Sequence, residues 1–200
     1  MSKYLSIDTE ATGLEENCQM IQLAFVPVDS QSRTVAEELG TEILIWCPSF
    51  EELKPTLNEW VLQHNEDLIR RANAQGVKPS ELSQIVSKYM ERPEIKKFFN
   101  GDRPPLLGKS MSALDIPLLH RYFGRTFMEK YFHHHTLDVT CLARGFVDAG
   151  LLPPGTQGTS KLMKHFGIRD DATHTALNDA VDMGKIYFKL LDLVKIKPAV

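Results

Sequence analysis

Residues 4–10 read YLSIDTE. Leu5 and Ile7 fall on one face of an extended chain and Ser6, Asp8 and Glu10 on the other, the period of two that defines a β-strand. The strand ends on two carboxylates that share a face, and Thr12-Gly13 then supplies a tight turn with close backbone access. Taking like charges out of water costs several kcal/mol per ion, so two acids ending a central strand require a cation between them. A divalent metal is the natural candidate. Taken alone, a D-x-E at a strand end is better explained as surface acids bonded to nearby backbone.

The rest of the chain determines how that strand is used. Met20 to Val28 and Thr41 to Trp46 are apolar runs separated by DSQSRTVAEE, and with the first strand they predict three sequential antiparallel strands joined by short links. A helix is expected over Asn58 to Asn65. Another opens at Pro79-Ser80, with Leu82, Ile85, Val86, Tyr89 and Met90 at helical spacing. Asn100-Gly101 and Pro104-Pro105 punctuate the chain before LLG at 106–108, read as a fourth strand. A helix follows over Asp115 to Phe123, and Pro117 places Asp115 near the N-cap or first turn. A fifth strand is expected around Thr136-Leu137, then helices over 138–148 and 159–166.

The last helix, from Thr173, is the clearest. With Ala176 at zero and ~100° per residue, Ala180, Met183, Tyr187, Leu190 and Val194 stay within about 40° of one line. Asp179 falls at about −60°, at the edge of the apolar arc and pointing into a cleft, whereas Asp182 at about −120° is expected to face solvent. The element order predicts an α/β fold with a mixed five-stranded sheet flanked by helices, and 200 residues suit a single domain over 1–200.

Composition narrows the function. The net charge of −3 lacks the basic excess of a protein that grips long duplex DNA, so a short or single-stranded nucleic-acid end fits better. No apolar stretch is long enough to span a bilayer and no signal-peptide layout opens the chain, so a soluble, cytoplasmic protein with no membrane partner is expected. Cys18, Cys47 and Cys141 are widely spaced and read as buried free thiols. Asp115 alone would be a helix cap, Asp179 an ordinary polar helix position, and His174 a surface or capping residue. As a set, acids gathered from strand and helix ends are what Mg²⁺ or Mn²⁺ requires.

DTEATGL at 8–14, LDIPLL at 114–119 and HTALND at 174–179 resemble the three exonuclease motifs of the DEDD superfamily, in the DEDDh (DnaQ-like) branch. That family includes polymerase proofreading exonucleases, ribonuclease T and oligoribonuclease. LNEW at 57–60 and YFHHHTLDVTCLAR at 131–144 are similar to oligoribonuclease, and KLMKHFGI at 161–168 to the polymerase-associated proofreaders. The resemblance covers residues 4 to 191 and implies a ribonuclease H-like fold. It implies that Asp8, Glu10, Asp115 and Asp179 hold two Mg²⁺ or Mn²⁺ ions that clamp the attacking and departing oxygens of a phosphodiester. It also implies His174 as general base, an office its ordinary pKa near ~6.5 suits. Thr12 and Gly13 would receive the terminal nucleotide, with Leu14 against a base and Trp60 beside the nucleotide.

The chain departs from the family pattern at two places. Lys109, Ser110 and Met111 occupy the stretch where an asparagine often precedes the second-motif aspartate. His134 aligns with a tyrosine that oligoribonucleases supply from the partner subunit, and a histidine there can still stack on a base. The run His133-His134-His135 invites a zinc reading but is read as mostly structural or surface, because consecutive residues in an extended segment point to opposite faces and one coherent metal site is not expected. Lys109, Arg121, Arg125, Arg144, Lys161 and Lys164 fall near the motifs and could line a phosphate path, or be scattered solvated charge.

The expected function is metal-dependent 3′-to-5′ exonucleolysis of short or single-stranded RNA or DNA, releasing 5′-monophosphates. The resemblance implies a homodimer or a polymerase partner. The rival reading is a nuclease-like binding module that docks on nucleic acid or a polymerase with little turnover. A metal-dependent phosphoesterase acting on small nucleotides would share the site.

Overall fold

The first strand runs from Lys3 to Ala11 (β1) and lies in the middle of its sheet. The computed structural model describes residues 3–169 and 175–194. Met20–Asp29 (β2) pairs antiparallel with β1, setting Ile7 opposite Phe25 and Asp8 opposite Ala24. On the outer side of β2 lie two short strands, Thr34–Val35 (β3) and Thr41–Leu44 (β4). Leu106–Gly108 (β5) runs parallel to the other side of β1, and Thr136–Asp138 (β6) parallel to β5. Among the described residues the sheet has six strands, one more than the five expected, because Thr34-Val35 pairs within a link that reads as polar; two residues are too few to display a period.

The helices among the described residues are α1 (Phe50–Leu53), α2 (Glu59–His64), α3 (Glu66–Gln75), α4 (Pro79–Met90), α5 (Pro93–Phe98), α6 (Asp115–Tyr131), α7 (Val139–Asp148), α8 (Thr159–His165) and α9 (Ala176–Leu193). The helix expected to end at Phe123 is interrupted one residue later, at Gly124 with φ 72°, and resumes to Tyr131. The sequence reading missed α1, α3 and α5. The first and last are one turn or little more, and α3 buries only Leu68, Ile69 and Ala72, so no sustained helical stripe marks them.

The period-two pattern of β1 and β2 separates two packed layers. Leu5, Ile7, Leu23 and Phe25 face α4 and α6, meeting Leu82, Val86, Tyr89, Leu118 and Leu119. On the opposite face Ala24 and Val26 pack against Ala176 and Ala180 of α9, while Val28 and Leu107 meet α7, α8 and the rest of α9. Small residues let α9 approach the sheet: a Cβ at Gly184 would lie 2.9 Å from a Val35 methyl and 3.0 Å from a Val28 methyl. Two polar bonds fix its register. The Ser6 hydroxyl donates to the Ala180 carbonyl at 2.6 Å, and the Ala176 N–H, free at a helix start, donates to Gln22 Oε1 at 3.1 Å.

The burial of Phe25, stacked between Tyr89 and Phe132 at centroid separations of 5.8 and 6.0 Å, sets a prediction for the core. Phe25→Ala should destabilise the protein by about 3–5 kcal/mol in urea unfolding, far more than a substitution at exposed Glu38.

Candidate active site

Parallel pairing of β1 with β5 brings the C-terminal ends of both strands to the same edge of the sheet, where open α/β folds place their sites. β1 delivers Asp8 and Glu10 there, and the residue after β5 is Lys109. Close packing allows it, since a Cβ on Gly108 would lie 3.2 Å from the Ile7 carbonyl oxygen. α9 contributes Asp179 from its first turn, where a carboxylate also favours the helix dipole. α6 begins at Asp115 and carries it in from the opposite face of the sheet.

Carboxylate oxygens of Asp8, Glu10 and Asp179 lie within 4.8 Å of one another. Asp115 stands beside them, its Oδ1 held by the Thr9 hydroxyl at 2.7 Å. Asp8, Asp115 and Asp179 are buried. Lys109 enters this cluster, its Nζ 3.1 Å from Asp8 Oδ1 and 2.7 Å from Asp179 Oδ2. Asp8 Oδ2 and Asp179 Oδ1 have no hydrogen-bond partner among the described residues. Buried carboxylate oxygens are rarely left so, and hard anionic oxygens facing one another fit a divalent ion of the Mg²⁺ or Mn²⁺ type.

The electrostatics follow from burial. Desolvation raises the Asp8 carboxyl well above its usual range; Lys109 opposes the rise and the other three acids add to it. Glu10 is pushed up to about 7, again mainly by burial, with Lys109 opposing and Asp179 and Asp115 reinforcing. Asp115 is raised to about 6 by burial, against the Thr9 hydrogen bond and Lys109. Burial works against the charge of Lys109, but the carboxylates of Asp8 and Asp179 overcome it and hold the ammonium above its ordinary value.

The other expected site residues are distributed as follows. His174 lies outside the described residues. Thr12 is buried and closes the β1–β2 link, its Oγ1 accepting from the Gln19 N–H at 2.9 Å. Gly13 does not adopt a left-handed backbone, and a Cβ there would meet only the movable carboxylate end of Glu15, so the turn itself does not demand glycine. Leu14 is 75% exposed, an apolar side chain projecting beside the acids' strand end. Trp60 is half exposed on α2 and stacks on His64 at 4.6 Å rather than entering the core.

Several expectations are corrected. Asp182 is buried and not solvent-facing, and Arg169, after α8, pairs with it at 3.4 Å. The ring nitrogens of His133, His134 and His135 lie within 4.8 Å of one another, since the chain bends at His134 and brings the three rings to one side. Cys141 is exposed, whereas Cys18 and Cys47 are buried thiols as expected. Of the six basic residues, Lys109 joins the acids, Arg121 donates to the carbonyls of Glu16 and Cys18, and Arg125 pairs with Glu129 at 2.6 Å. Arg144 and Lys161 line one groove of about 830 Å³ with Ser110, Thr140 and Gln157.

Sequence reasoning also missed Asn65 and Gln22. Asn65 is buried, donates to the Ala11 carbonyl at 3.3 Å and acts on Glu10. Gln22 caps α9 near Asp179; its signal was a polar residue inside the apolar run MIQLAFVPV.

No family model and no curated protein matches the sequence. Solved structures do match. The cell-death related nuclease 4 (CRN-4) superimposes with a TM-score of 0.68 at 13% identity, covering 97% of this chain and 65% of that one. The chain has the fold of known 3′-exonucleases. The nuclease domain of 3′hExo, a DEDDh family member bound to rAMP, gives a TM-score of 0.62 at 12% identity over 96% of this chain and 92% of that one. Pop2p of S. pombe, in an Mg²⁺- and Mn²⁺-bound form, gives 0.65 at 12% identity over 96% and 86%. The expected ribonuclease H-like architecture is thereby met, and this chain spans about two thirds of CRN-4.

The raised carboxyls dictate a pH dependence. The folded state without metal holds protons on Glu10 and Asp115 that the unfolded chain releases near pH ~4. These groups contribute stability fully present below that range and lost as pH rises through about 6 to 7. In EDTA the melting temperature at pH 8 should therefore lie below the value these groups support at pH 5. Added Mn²⁺ should raise it more at pH 8 than at pH 5, as read by differential scanning fluorimetry.

Proposed function

We propose that this chain is a single-domain, metal-dependent 3′-to-5′ exonuclease acting on short or single-stranded RNA or DNA and releasing 5′-monophosphates. The observation that carries this reading is the cluster of Asp8, Glu10 and Asp179 at the end of β1, with two buried oxygens unpartnered among the described residues. Such repulsion is retained only where a cation is used. The exonuclease fold of the neighbours supports the same reading.

Asp8, Glu10 and Asp179 would hold the divalent metal, with Asp115 completing the set. The metal, when bound, supplies Lewis-acid stabilisation of charge on the phosphate oxygens. The resemblance to the DEDDh branch implies two such ions, and the position of Lys109 bears on that number. Thr9 orients Asp115, and Asn65 positions the strand end that carries Glu10. His174 serves as general base, taking a proton from the attacking water. Thr12 and the backbone at Gly13 receive the terminal nucleotide, exposed Leu14 packs against a base, and half-exposed Trp60 lies beside the nucleotide as an aromatic surface. Arg144 and Lys161 in the adjoining groove suit the phosphates of the chain upstream.

Asp8→Ala and Asp179→Ala should each abolish release of mononucleotides from a labelled single-stranded oligomer in Mg²⁺ or Mn²⁺ while the protein still folds. Retained full turnover in either purified variant would sink the proposal. Matched RNA and DNA series from dinucleotide to ~20-mer, chosen because single-strand site sizes vary, read out the substrate class. His174→Ala should lower the rate by roughly 10²–10⁴-fold while Mn²⁺ affinity stays within about threefold.

A further inference from the structure

Lys109 is the one cation that touches the acidic cluster among the described residues, and it touches two of its members. Its ammonium takes Asp8 Oδ1 and Asp179 Oδ2. The oxygens left over on the same two residues, Asp8 Oδ2 and Asp179 Oδ1, are buried and unpartnered among the described residues. Asp8 and Asp179 belong with Glu10 to one group of three acids whose carboxylate oxygens lie within 4.8 Å of one another. A second divalent ion bridging Asp8 and Asp179 would compete with Lys109 for the oxygens it occupies, and one bound through Asp115 would still stand against the repulsion of that positive charge.

Lys109 is not a surface lysine that has wandered in. It follows Gly108, whose backbone lies against β1, so the chain carries its Cα to the rim of the site. Its aliphatic stem is largely covered, with only 30% of the side chain exposed.

We propose that Lys109 is a built-in cation that takes the place of one metal ion, so that this site works with a single divalent ion and a lysine ammonium. The ammonium then supplies fixed positive charge beside the scissile phosphate, a part that oxygen-bound metal would otherwise play. This rests on the exonuclease reading above and changes its metal count. Lysine serves here as a point charge with three donors, enough to bridge two carboxylates and still face a phosphate oxygen.

The test is Mn²⁺ stoichiometry on the full chain, by calorimetric titration and by electron paramagnetic resonance of the bound ion, for wild type, Lys109→Met and Lys109→Gln. One Mn²⁺ per wild-type chain is expected, with the spectrum of an isolated ion. The Lys109 variants should take up a second Mn²⁺, show a spin-coupled pair, and gain a larger Mn²⁺-induced rise in melting temperature than wild type. The glutamine variant keeps a polar stem should the methionine variant fail to fold. Two ions in wild type, or an unchanged count in the variants, overturns the assignment of Lys109 and leaves the exonuclease reading standing if hydrolysis persists. Absence of bound Mn²⁺ in every protein overturns both.

Discussion

Repulsion among buried carboxylates is the constraint around which this protein is arranged. Asp8, Glu10, Asp115 and Asp179 arrive from one strand and two helices, and water is largely excluded from three of them. Left to themselves they would be held together only by protonation, which is why burial lifts Asp8, Glu10 and Asp115 above the ordinary carboxylate range. Lys109 offsets part of that cost by bridging Asp8 and Asp179. The unpartnered oxygens that remain show that the offset is incomplete within the described residues, and incomplete compensation of a buried charge is a feature of sites more than of scaffolds.

The topology exists to make that convergence repeatable. β1 sits between an antiparallel neighbour that stiffens it and a parallel neighbour whose C-terminal end opens at the same edge. α9 is held on the sheet by Ser6 and Gln22, both on strands, so Asp179 in its first turn is positioned by the sheet and not by a loop. α6 is tied back through the Thr9 to Asp115 hydrogen bond. Precise placement of repelling groups needs rigid elements, and each acid here stands on a strand or in the first turn of a helix.

Much of this was legible in the chain. The period of two over residues 4–10 marked β1, and the apolar arc of α9 placed Asp179 at the border of the core. Pro117 fixed the start of α6 at Asp115, because a proline is tolerated only in the first turn of a helix. Asp182 was misplaced by the same wheel. A helical projection knows only the main packing face, and it cannot register a long-range partner such as Arg169, which pairs with the buried Asp182. The three histidines lie at the surface as expected, but a bend at His134 removes the alternation of an extended backbone and lets their ring nitrogens meet.

Lys109 shows the limit most clearly. As a letter it was one of six basic residues near the motifs, and nothing in spacing separates it from Arg121, which spends its charge on the carbonyls of Glu16 and Cys18. The sequence by itself determined which acids exist, which strand face carries Asp8 and Glu10, and which helix turns carry Asp115 and Asp179, because those follow from local periodicity and proline geometry. Only the tertiary structure decided which cation faces them. Charge pairing acts through space, and parallel strands separated by nearly one hundred residues bring Lys109 to Asp8.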